Sequence, residues 1–158
     1  MSIVADSLPS ARSLRRGVLL GLAAGAVASA VWYLVVLGTS SMQTYLIPGI
    51  GVVVSYGVYA GMRTPGRLAA VVSVAITALA VMVAMFYVER HLIINWFHEN
   101  HDAKQIPIFP YLDWMASVLR HALGKSLSSP VYSLLALVAA GWFGHQGFES
   151  HDPSARRG

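Results

Sequence analysis

GVLLGLAAGAVASAVWYLVVL, running from Gly17 to Leu37, carries no ionisable side chain except tyrosine. About 20 such residues in a helix are enough to cross the hydrocarbon core of a bilayer. In water a helix that is apolar all round has to be buried on every side by the rest of its protein. The chain has only 158 residues, 56% of them hydrophobic and 11% charged, whereas soluble domains carry about 25% charged residues. A small chain also has a high surface-to-volume ratio. Too few charges remain to cover such a core, and hydrocarbon is the solvent this sequence implies. Trp32 and Tyr33, in the last turns of the stretch, suit the aromatic belt at a membrane interface.

Two further runs extend the pattern. The connection from Gly38 to Thr44 is short and uncharged, so the next helix runs antiparallel beside the first. YLIPGIGVVVSYGVYAGM, Tyr45 to Met62, is the second expected span, with Pro48 in its first turn where a missing N–H costs least. Arg63-Thr64-Pro65-Gly66-Arg67 forms a basic turn, and Leu68 to Val88 is the third span. Pro130 to Phe143 is a shorter apolar run that reaches spanning length if its helix starts near Leu127 and ends near His145. The alternative is three spans with a re-entrant or surface-bound C-terminus.

Between the third and fourth runs lies a mixed segment. His91 to His98 either prolongs the third helix or turns along the surface. Pro107 and Pro110 exclude regular helix around them. Tyr111, Met115, Val118 and Ala122 then recur at helical spacing, as in an amphipathic helix lying in the interface. The expected fold is all-α, an integral membrane helical bundle of four transmembrane helices plus an interfacial amphipathic helix. A single domain over 14–145 holds spans at 17–37, 45–62, 68–88 and 127–145 and an extramembrane segment at 89–126, with flexible tails at 1–13 and 146–158.

The net charge of +4 does not point to nucleic acid, because no basic stripe with interleaved aromatics is present. The cations instead border the apolar runs: Arg12, Arg15 and Arg16, then Arg63 and Arg67, then Arg156 and Arg157. If the helices alternate in direction these fall on one side, and the positive-inside rule makes that side cytoplasmic, along with both termini. A secretory signal peptide is the rival reading of the first run, since Ala28-Ser29-Ala30 resembles a cleavage site. The apolar run continues to Leu37, which is long for a signal peptide's core. There is no cysteine, which excludes disulfides and thiolate chemistry.

The most organised feature is a row of small residues. Gly17, Gly21, Gly25 and Ser29 repeat every fourth residue on the first span, Gly49, Gly57 and Gly61 follow a similar row on the second, and Ser73 stands with Ala69 and Thr77 on the third. Small side chains let helix backbones approach closely in a membrane, within one bundle or between partners. His98 and His101, with Glu99 and Asp102 beside them, are metal-ligand candidates, at a spacing one short of H-E-x-x-H. A solvated polar edge is the ordinary reading of that cluster. No charged group or histidine lies inside the spans short of their ends, which speaks against a proton relay. No catalytic constellation and no cofactor are implied.

From Arg15-Arg16 through GVLLGLAAGAVASAVWYLVV and then IPGIGVVVSYGVYAGMR, the chain resembles uncharacterised small multipass bacterial inner-membrane proteins. The resemblance covers the first half and implies a place in the bacterial inner membrane, with no activity attached. A non-enzymatic anchor, assembly factor or accessory subunit, held in the lipid bilayer beside a membrane-protein partner or as a homo-oligomer, is the expected role. A small oligomeric channel or transporter is the alternative, and a metal-dependent membrane enzyme the second alternative.

Overall fold

The computed structural model describes residues 10–39, 41, 43–100 and 128–148, with the backbone course alone at 93–100 and 128–129. All regular structure among them is helical: α1 (Ala11–Thr39), a 3-10 turn (Thr44–Leu46), α2 (Ile47–Met62), α3 (Arg67–Asn100) and α4 (Ser128–Gln146). Three stretches are long and apolar enough to cross a membrane: Ala11–Thr39, Thr44–Met62 and Arg67–Leu92. The fourth helix packs against α2 and α3.

Helix ends follow local chemistry. Ser10 caps α1, its Oγ accepting the Ser13 N–H at 3.2 Å while its carbonyl accepts the Leu14 N–H at 3.0 Å. The helix therefore starts at Ala11, inside the tail expected over 1–13, and takes in Arg12, Arg15 and Arg16. Pro48 sits at the start of α2, which begins at Ile47 after the 3-10 turn. At its other end Arg63 adopts a left-handed conformation (φ 56°) and donates its N–H to the Tyr59 carbonyl at 2.7 Å. Glycine usually fills this capping position. Gly147 (φ 78°) does so for α4, donating to the Phe143 carbonyl at 2.8 Å.

The neighbours of α1 give the bundle its order. Gly17, Gly21 and Gly25 face Met62, Val58 and Val54 in turn, so α1 and α2 are antiparallel. Gly21 and Gly25 also face Ile76 and Ala80, so α1 and α3 run parallel. Gly51 meets Ala136 and Ser55 meets Ala140, which makes α2 and α4 parallel, while Gly144 against Ala70 makes α3 and α4 antiparallel. The start of α1, the Arg63–Arg67 turn and the end of α4 therefore share one end of the bundle. Gly66 N–H donates to the Gly144 carbonyl at 3.3 Å across that end. Phe148 stacks on Phe143 at 5.1 Å and meets Tyr56 and Tyr59 edge-on or tilted.

At the opposite end Trp32, almost fully buried, donates its indole N–H to the Gln43 carbonyl at 2.9 Å and so ties α1 to the connection into α2. Tyr33 meets the His91 ring edge-on at 6.1 Å. Beyond the span expected to end at Val88, α3 continues unbroken to Asn100. Its 34 residues measure about 51 Å at 1.5 Å per residue, against about 30 Å of hydrocarbon. Glu89 is buried within this continuation.

Candidate functional site

The rows of small residues form the contact surfaces of the bundle, and two seams carry most of the packing. In the first, α1 meets α2. A methyl group added at Gly61 would lie 2.5 Å from the Gly17 Cα, and one at Gly57 would lie 2.7 Å from the Leu20 carbonyl oxygen. Neither backbone atom has room to yield. At Gly17 and Gly21 the nearest obstructing atoms are side chains instead, from Met62 at the first and from Val58 and Ile76 at the second. Ser29 donates its hydroxyl to the Ala80 carbonyl at 3.4 Å.

Gly49 does not belong to this seam. It is exposed, and a methyl group there would meet nothing within 4 Å. Four residues of helix advance about 400°, so a row at that spacing drifts about 40° per turn. Running back from Gly57 through Val53, itself 43% exposed, the row has rotated out of the interface by Gly49.

The second seam holds α4 against α2 and α3, and it was less visible in the sequence. A methyl at Gly51 would collide with the Ala136 carbonyl, and one at Gly144 would lie 2.8 Å from the Ala70 Cα. On α4, Ala136, Ala140 and Gly144 recur every fourth residue and all are buried. That row is as regular as the one on α1 and marks a packing face on α4, without naming the residues it meets. Three buried hydroxyls lie on the facing helices. Ser55 donates to the Gly51 carbonyl at 2.7 Å and reaches the Ala140 carbonyl at 3.1 Å. Ser73 lies next to Gly144, and neither its Oγ nor that of Thr77, one turn along α3, has a hydrogen-bond partner. These are neutral groups, and they offer hydrogen bonds but no acid, base or nucleophile with an activating neighbour.

On its flank α1 also meets α3 along a shallow lateral groove of about 310 Å³. Gly25, Ser29, Ile76 and Ala80 form its floor, with Leu22, Ala26, Leu79 and Val83 exposed around it. The lining is almost wholly apolar.

The remaining expectations fall elsewhere. His98 lies on the backbone of α3, where side chains are not described, and His101 and Asp102 lie outside the described residues, as does the interfacial helix expected over Tyr111–Leu123. Among the described residues no group of three or more His, Cys, Asp or Glu comes together. Compared with protein-family models, curated proteins and solved structures, the chain matches none.

Proposed function

We propose that this chain is a multipass protein of the bacterial inner membrane that crosses four times with both ends in the cytoplasm. In this reading it works as a non-enzymatic anchor or accessory subunit for a membrane partner. The observation that carries it is the unequal burial of the spans. The most apolar window of α1 is only 17% buried inside the bundle, against 44% and 39% for the next two. The inner face of α1 is used up by its glycines, and its outer face presents Leu20, Val27, Val31 and Leu34, each 46% exposed or more. A helix uncharged beyond Arg16, fastened on one side and bare on the other, suits lateral association in the membrane.

The basic end supports the orientation. Arg12, Arg15, Arg16, Arg63 and Arg67 are all exposed at the end where α1 starts and α4 finishes, as the positive-inside rule requires of a cytoplasmic face. A photo-crosslinking residue at Val27 or Leu34, activated in intact membranes, tests the role. Attachment to one discrete polypeptide is expected, and capture of lipid alone at both positions would refute the accessory-subunit reading.

A further inference from the structure

The groove between α1 and α3 has a charged partner at the basic end of the same helix. Helical residues advance 100° each, so Arg15 falls within about 20° of Leu22 and Ala26 around the axis of α1. Tyr33 shares that line and closes its far end against His91. The line along α1 that begins at the exposed Arg15 therefore runs through Leu22 and Ala26 into an apolar hollow. Arg12, also exposed, lies one turn further out. From Arg15 to the middle of the hollow, between Gly25 and Ala26, is about 16 Å of helix. Half the hydrocarbon thickness is about 15 Å.

We infer that this seam is a binding site for one anionic phospholipid of the leaflet at the basic end, its phosphate at Arg15 and Arg12 and one acyl chain lying in the α1–α3 groove. Three observations choose this occupant. The cations sit at headgroup depth and the hollow at the depth of the chain terminus. The one hydroxyl in the floor, that of Ser29, is already donated to the Ala80 carbonyl, so the hollow asks for hydrocarbon. Its volume of about 310 Å³ also suits a chain better than a helix, whose diameter with side chains is about 10 Å. The inference rests on the membrane-spanning reading above.

Native mass spectrometry of the full chain, released from detergent after incubation with equal phosphatidylglycerol and phosphatidylcholine of matched chains, tests it. One retained lipid is expected, with phosphatidylglycerol preferred by about fivefold per contributing arginine. Arg12→Gln with Arg15→Gln should bring that preference close to unity. Ala26→Trp, at an exposed position outside the glycine seams, should fill the groove and abolish retention of either lipid while the tryptophan-monitored melt persists. Equal retention of the two lipids by the unaltered chain would overturn the proposal. So would full retention by Ala26→Trp, or a dimer that this substitution dissociates, since a second copy would then cover the groove. If Ala26→Trp does not fold, the arginine pair decides by itself. A chain monodisperse without detergent would refute the membrane reading itself, whereas one that needs detergent but shows no lipid preference refutes only this site.

Discussion

Glycines of one helix differ sharply in what they do. Gly57 faces a backbone carbonyl and Gly49 faces open space. Gly57→Ala forces the α1 and α2 backbones apart and should destabilise the bundle by about 1–3 kcal/mol. Gly49→Ala meets no obstacle and should stabilise it by roughly 0.5–1 kcal/mol through helix propensity. Thermal melts in detergent followed by tryptophan fluorescence separate the two, and equal losses at both positions would contradict the packing described. Ser73 and Thr77 call for the reverse experiment. A buried hydroxyl without a partner costs about 1–3 kcal/mol, so Ser73→Ala and Thr77→Val should each raise the midpoint. A fall would mean that these hydroxyls are partnered in the membrane. At this scale the sequence revealed that small residues recur every fourth position. It could not show which of them meets backbone and which meets open space, because that depends on how the row rotates against its neighbour.

At the level of elements, the two ends of α2 contrast. Pro48 suits the helix start it occupies, whereas Arg63 holds a left-handed conformation at the helix end that costs a non-glycine residue about 1 kcal/mol. Arg63→Gly should therefore raise the melting midpoint, provided the guanidinium makes no compensating contact, and a lower midpoint would reveal one. The length of α3 was half legible. No proline or glycine stands between Val88 and Asn100, so nothing local stops the helix at Glu89. The change from apolar to polar composition marks where a membrane would end, and a helix passes through that boundary without breaking. At α1 the difference runs the other way: Arg12 falls within the tail expected over 1–13, and Arg15 and Arg16 precede the span expected from Gly17, although Ser10 provides the cap that starts the helix ahead of all three.

For the whole molecule, the presence of long apolar helices was readable from charge and hydropathy. The short connection from Gly38 to Thr44 also placed the second helix antiparallel beside the first, but which other helices touch was not readable. Alternating spans already imply that α4 runs parallel to α2 and antiparallel to α3; that it packs on both follows from Gly51, Ser55 and Gly144, contacts between positions some 70 to 85 residues apart (Ser55 and Ala140 are 85 apart) whose pairing no local pattern encodes. The order has a direct test, since the chain contains no cysteine. Single cysteines at Ser41 and Thr64 should be labelled by an impermeant thiol reagent from opposite sides of the membrane, and one at Gln146 should behave like Thr64. Labelling of Gln146 together with Ser41 would mean that α4 does not cross.

The hydroxyl-bearing face of α2 and α3 has a bearing on biosynthesis. The ribosome completes both helices before it makes Ala140, so the cross-helix acceptor used by Ser55 does not yet exist when its donor is made. The nascent chain passes through a stage in which the face that α4 later covers is open. Until α4 arrives, the Gly51 carbonyl one turn back is the acceptor left to Ser55, and the hydroxyls of Ser73 and Thr77 lie on a face that nothing from α4 yet covers.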